Sequence, residues 1–168
     1  RRRIIRRCAS IQAVRLEPLE DRRLLTSYYF SPTGNDSASG TTSSTAWKSL
    51  SKINSLNLDG GDWVLLQGGQ TFTVPSGGNN YIELTGQDAG TSANPVRFGS
   101  YGGGRATVRT SGTAMFIYNA GGVELHDLIF IGPGASGNTA DGINIYNDQG
   151  GGSKLQHIYV DNVDVSGY

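Results

Sequence analysis

The chain has 168 residues and a formal net charge of zero; glycine occupies 25 positions, and charged residues make up only 17%. Glycine at roughly twice its usual share of about 7%, with few long charged side chains, suits a turn-dense β architecture better than a helical bundle. A single cysteine, Cys8, supplies neither a disulfide framework nor a thiolate metal site, and no apolar run approaches the roughly 18 residues of a membrane helix.

Residues 1–27 form a basic leader in which eight arginines face Glu17, Glu20 and Asp21, a net +5. The remainder carries six lysines and arginines against eleven acids, a net −5, so the two segments have different jobs. The acidic part has no basic face for nucleic acid, which excludes that class of partner. The cationic start suits an export signal, but the apolar stretch 9–14 is interrupted by Ser10 and Gln12 and is shorter than the hydrophobic region of such a signal. A disordered or loosely helical arginine-rich tail is the alternative.

Residues 28–30 read as a short strand entering the turn-rich loop S-P-T-G-N-D-S-A-S-G-T-T-S-S. Ser44 or Thr45 is a suitable N-cap for a helix of about ten residues. Trp47, Leu50, Ile53 and Leu56 fall three apart along it and give one apolar stripe, expected to be buried rather than to bind a partner. Strands are predicted at 63–66, 71–74, 81–84, 96–98, 106–108 and 115–118, separated by glycine or proline turns. Strands this short without helical crossovers favour a solenoid over a doubly wound sheet. A β-sandwich is the rival.

The strongest organising signal is a repeat. V-E-L-H-D-L-I-F-I-G at 123–132 overlays I-Y-V-D-N-V-D-V-S-G at 158–167 with an offset of 35, and F-I-Y-N at 116–119 overlays N-I-Y-N at 144–147 with an offset of 28. Apolar residues alternate within each half of the longer unit, the period of a strand with one buried face. The phase slips between Leu125 and Leu128 and between Val160 and Val163, so two short strands meet at a bend occupied by Asp127 or Asn162. Both types tolerate left-handed backbone better than other non-glycine residues. The seven extra residues of the second copy fall in the loop D-Q-G-G-G-S-K at 148–154, and a repeat that keeps its strands while varying a loop is a solenoid coil.

Three short strands per coil describe a parallel β-helix. The stretches Y-Y-F-S-P-T-G-N-D at 28–36, T-A-W-K-S-L at 45–50, G-G-D-W-V-L-L-Q-G-G-Q-T-F at 60–72 and N-P-V-R-F-G-S-Y-G-G-G-R-A-T-V at 94–108 resemble the right-handed parallel β-helix (pectin-lyase-like) superfamily. The opening coils resemble its polysaccharide lyases. The resemblance spans 28–168 and implies an all-β solenoid whose mouth is plugged by a short N-terminal capping helix. The sequence stops straight after a coil motif, so the domain is expected to be incomplete at its C-terminal end, with the active groove mainly in coils beyond Tyr168. Separately, R-L-E-P-L-E-D-R-R-L-L at 15–25 resembles the L-E-P-R-x-L-L type of segment on exported bacterial surface proteins, although L-E-D-R-R follows the proline where the short form has arginine directly.

The function implied is a secreted or cell-surface protein acting on polysaccharide, expected to be acidic polysaccharide cleaved by β-elimination. A non-catalytic adhesin-like solenoid and a glycoside hydrolase of the same fold are the alternatives. The partner is a polysaccharide, with no nucleic acid and no integral membrane segment, and a monomer is expected. Hard oxygen ligands of Asp141, Asp161 and Asp164 form a candidate Ca2+ site, against the reading that they are solvated surface acids, Asp141 serving a turn and Asp161 and Asp164 lying on opposite sides of a bend. Outward Tyr146 and Tyr159, with Lys154 from the glycine-rich loop, are candidates to contact sugar; Tyr118 and Tyr146 alternatively pack between coils. No catalytic residue is assigned. His126 and His157, 31 apart and not equivalent in the repeat, read as separate surface or loop histidines. S-Y-G-G-G-R at 100–105 lacks the strand-to-helix context of a phosphate loop, so its glycines read as turn residues.

Overall fold

A computed structural model describes residues 25–74, 82–134, 136 and 140–168. The leader, apart from its last three residues, and the predicted strand start at Tyr81 lie outside the described residues. Among the described residues ten strands form: β1 Ser27–Phe30, β2 Trp63–Gln67, β3 Thr71–Val74, β4 Ile82–Leu84, β5 Val96–Tyr101, β6 Ala106–Thr110, β7 Met115–Tyr118, β8 Val123–Ile131, β9 Ile143–Tyr146 and β10 Ile158–Ser166. Every strand pairing is parallel and joins a strand to its equivalent in the next coil. The chain is therefore the predicted all-β parallel β-helix.

Three faces result. The first is built by β1, β2, β5 and the opening halves of β8 and β10; the second by β3, β6 and the closing halves of β8 and β10; the third by β4, β7 and β9. The predicted registers hold: Val123 pairs with Ile158 and Leu128 with Val163, and Phe116 pairs with Asn144 and Tyr118 with Tyr146. Asp127 and Asn162 take φ of 53° and 51°, and ladder pairing continues on both sides of each. Asn162 Nδ2 donates to Asp127 Oδ1 at 2.6 Å, so the corner residues bond to one another along the stack. In the coil before, the same corner is longer, and the Ser100 hydroxyl bridges it, donating to Asp127 O at 2.7 Å and accepting from Ala106 N at 2.8 Å.

Alternation places one set of side chains inside. Val64, Phe98 and Leu125 on the first face, Phe72, Val108 and Phe130 on the second, and Ile82, Met115, Leu84 and Ile117 on the third are buried in one continuous core. Full burial of a side chain of this size contributes about 1.5–3 kcal/mol, an upper figure when the unfolded chain is compact. Val160, Val165 and Ile145 hold the same inward registers on β10 and β9 but are exposed, because no described strand packs beyond them.

The predicted ten-residue capping helix is corrected. Only 3₁₀ turns form, at Ser43–Thr45 and Leu50–Ser55, with extended chain between them. The Asp36 carboxylate accepts from the N–H groups of Lys48 and Ser49 and from the Ser49 hydroxyl, at 2.8, 2.9 and 2.6 Å. Those N–H groups are taken before a helix can propagate through them. Released from a helix, Trp47 bridges Phe30, donates its indole N–H to Ala38 O at 2.7 Å, and stacks on Tyr28. The apolar stripe survives in altered form, since Trp47, Leu50 and Ile53 all enter the core.

Candidate functional site

The first face carries outward residues of an unusual composition. Register aligns Trp63, Arg97, Glu124 and Tyr159 across β2, β5, β8 and β10. One outward step further, Leu65 pairs with Gly99 and His126 with Asp161. Strands about 4.8 Å apart make this a patch of roughly 14 Å along the stack.

Glu124 is its electrostatic centre. Its Oε2 accepts from Arg97 Nε at 2.8 Å and lies 3.2 Å from His126 Nε2, while Oε1 lies 2.7 Å from His157 Nε2. An ionised carboxylate only accepts, so both imidazoles present Nε2–H to it. Partial burial pushes the Glu124 pKa up, but hydrogen bonds from His157, Arg97 and His126 outweigh it and bring the value down to about 2. Glu124 is thus an anion at neutral pH that orients two imidazoles and a guanidinium. The other ring nitrogen of His126 faces Asp161 Oδ2 at 3.8 Å, which places the imidazole between two carboxylates.

Rings line the same surface. Trp63 and His126 have centroids 6.2 Å apart, His126 and Tyr159 5.7 Å, and the Arg97 guanidinium lies 5.3 Å from the Trp63 ring. The Trp63 indole lies over Gly99, where a Cβ would stand in ordinary contact, 3.4 Å from the indole Cζ3 and 3.5 Å from His126 O. His157 occupies a left-handed corner with φ of 55°, a conformation costly for a non-glycine residue. From that corner its side chain turns back onto the preceding coil to meet Glu124.

The residues proposed from sequence are dispersed. Asp161 belongs to this face, Asp164 is ion-paired to Arg105 across the neighbouring corner, and Asp141 accepts from Asn144 Nδ2 at 2.6 Å on the third face. The three aspartates do not converge, and among the described residues no group of three His, Cys, Asp or Glu is placed to hold a metal ion. Tyr159, half exposed, lies on the first face. Tyr146, equally exposed, lies on the third, stacked at 8° on Tyr118, whose hydroxyl donates to Asp148 at 2.7 Å. That pair is inter-coil packing. Lys154 stands exposed in the loop between the two faces. The histidines read as unrelated are brought together by Glu124.

Glu124, Arg97 and Trp63 were missed as a group. Overlaying V-R-F at 96–98 on V-E-L at 123–125 would have found Arg97 beside Glu124, but that offset is 27, whereas the next coil repeats at 35.

The strand pairings define a parallel β-helix. No protein-family model matches the chain, and no curated protein does. Among solved structures the chain is similar to the GH136 lacto-N-biosidase of Eubacterium ramulus, with 23% identity and a TM-score of 0.66 over 83% of this chain and 27% of that one. It is also similar to a structure described as rhamnogalacturonan lyase, with 20% identity and a TM-score of 0.55 over 71% of this chain and 32% of that one. The chain therefore spans about a third or less of the length of either protein. Among the described residues no helix is long and apolar enough to cross a membrane.

Proposed function

We propose that this chain is part of a carbohydrate-acting β-helix protein that lays a polysaccharide along its first face. The observation that carries the reading is the run of rings Trp63, His126 and Tyr159 beside the Arg97, Glu124 and Asp161 charges. Sugar rings offer apolar C–H faces that pack on aromatic side chains, and hydroxyls that need fixed polar partners. The names of the two solved structures most informative about the fold point the same way.

β-Elimination of an acidic polysaccharide, hydrolysis and non-catalytic adhesion are forms this activity can take. Elimination needs a cation to neutralise the uronate carboxylate and a base to take the adjacent ring proton. Among the described residues of this face the one arginine, Arg97, is paired with Glu124, so the geometry supports glycan binding here more directly than an elimination centre. A polymeric glycan also implies a working place outside the cell or on its surface.

Affinity electrophoresis of the full chain through gels containing neutral and acidic polysaccharides tests the proposal. Retardation by at least one polymer is expected, with Trp63→Ala and Tyr159→Ala each weakening it about three- to tenfold, the worth of one stacking contact. Free migration through every polymer sinks the proposal. Ultraviolet absorbance of unsaturated products then separates a lyase from a hydrolase or a binder.

A further inference from the structure

By accepting from His126 Nε2 at 3.2 Å, the Glu124 carboxylate fixes the tautomer of that imidazole, and Nδ1 of the neutral ring is left as an acceptor. Nδ1 faces Asp161 Oδ2 at 3.8 Å, a separation too long for a hydrogen bond and expected of two acceptors. The spacing is set by the ladder, because His126 and Asp161 are register partners on β8 and β10. Both can be reached from solvent, the Asp161 side chain being 60% exposed and that of His126 23%. Among the described residues no donor is bonded to either atom. Tyr29, Leu65 and Gly99 continue the row on β1, β2 and β5 without bonding to them, and Asp127 at the adjoining corner accepts from Asn162.

We propose that Nδ1 of His126 and Oδ2 of Asp161 form a two-acceptor clamp for the vicinal diol of a sugar, so that the first face selects glycans whose units keep two free hydroxyls on adjacent carbons. The inference rests on the glycan reading above and deepens it to a ligand class. A lone hydroxyl carries one donor and serves only one of the two atoms. Two hydroxyls on adjacent ring carbons, held gauche, set their oxygens one hydrogen-bond length apart, and each donates to its own acceptor at about 2.7–2.8 Å. Rings bracket the clamp: the Trp63 and Tyr159 centroids lie 6.2 and 5.7 Å from that of His126, and Tyr159 is half exposed. They offer the C–H faces of a sugar a surface to pack on while its hydroxyls point to the clamp. A unit in which a linkage oxygen replaces either hydroxyl is disfavoured, because it covers one acceptor and leaves it unpaired.

The test is depletion of the full chain from solution by glucan, galactan and xylan, each as a 1,4-linked and a 1,3-linked polymer. In a 1,4-linked chain every unit keeps a pair of adjacent free hydroxyls; in a 1,3-linked chain the linkage oxygen stands between the two nearest that remain. At least one 1,4-linked polymer should bind about tenfold more tightly than its 1,3-linked counterpart, the worth of one hydrogen bond to an oriented acceptor. Asp161→Ala, at an exposed position, and His126→Phe, which keeps a ring beside Tyr159, should each bring that ratio below about threefold while the 1,3-linked polymer stays within about twofold of its native affinity. A ratio set by chain shape alone would survive these substitutions. No preference for the 1,4-linked member of any pair, or a preference that survives in either variant, overturns the clamp and leaves the glycan reading intact. Binding of no polymer overturns both.

Discussion

At the scale of the residue, Glu124 ties the site to stability. Its pKa falls from 4.5 in the unfolded reference to about 2 in the fold, so the folded chain binds this proton less readily than the unfolded one. A depressed carboxylate stabilises the fold fully above the unfolded pKa and loses that contribution as pH falls through the folded one. The window therefore runs from about 4.5 down to about 2. Allowing for solvent screening of a partly exposed group, about 1–2 kcal/mol should be lost across it. Urea midpoints measured at steps through the window should fall in the native chain. Glu124→Gln should be less stable at neutral pH and should converge on the native chain as the solution is acidified. A gap between the two that stays constant through the window would mean that Glu124 carries no folding-linked proton.

At the scale of the element, the corners decide which residue types the repeat accepts. Gly122 and His157 hold equivalent corners and share a left-handed backbone, yet they differ in what lies against them. A Cβ on Gly122 would fall 2.0 Å from Gly90 C, which is backbone and cannot move aside, whereas His157 carries its imidazole back to Glu124. Gly122→Ala should thus disrupt the docking of β8 on the preceding coil, lowering the thermal midpoint by well over the 4 °C or so that corresponds to 1 kcal/mol in a domain of this size. Asp127→Asn, which keeps left-handed tolerance and an acceptor for Asn162, should leave the midpoint within about 2 °C. The corner at Asp127 was legible in the sequence because the alternation slips there and the residue type fits the slip. The registers of β8 on β10 and β7 on β9 were legible for the same reason. The capping helix was misread because its apolar spacing is local, while the carboxylate that interrupts it, Asp36, lies twelve and thirteen residues from the N–H groups it takes. The Glu124 cluster was hidden by coil length: Val64 to Phe98 is 34, Phe98 to Leu125 is 27 and Leu125 to Val160 is 35, so no single period brings Trp63, Arg97, Glu124 and Tyr159 into line. The physics that aligns them is stacking of the inward side chains, which appears in sequence only as short alternations that many strands share.

At the scale of the whole molecule, a stack of coils has no centre that every element touches. Each strand bonds only to its equivalents before and after, so stability is close to a sum of coil and interface contributions. β5 and β8 each have a strand on both sides along the first face, whereas β10 has β8 alone. The inward residues of β10 report the difference: Val160 and Val165 are each 47% exposed, against 0% for Leu125 and Phe130 in the same registers on β8. Among the described strands, β8 thus draws its burial from coils on both sides, and the inward residues of β10 offer the same registers to a further coil. Hydrogen exchange followed by mass spectrometry should show slow amides in β5 and β8, which are paired on both sides along the first face. The exchange of β10 carries His157, Tyr159 and Asp161 with it, so bound glycan, by fastening β10 to β8 across the first face, should slow β10 selectively and leave β3 and β4 unchanged. Exchange in β10 that bound glycan leaves unchanged would remove the link between that strand and occupancy of the first face.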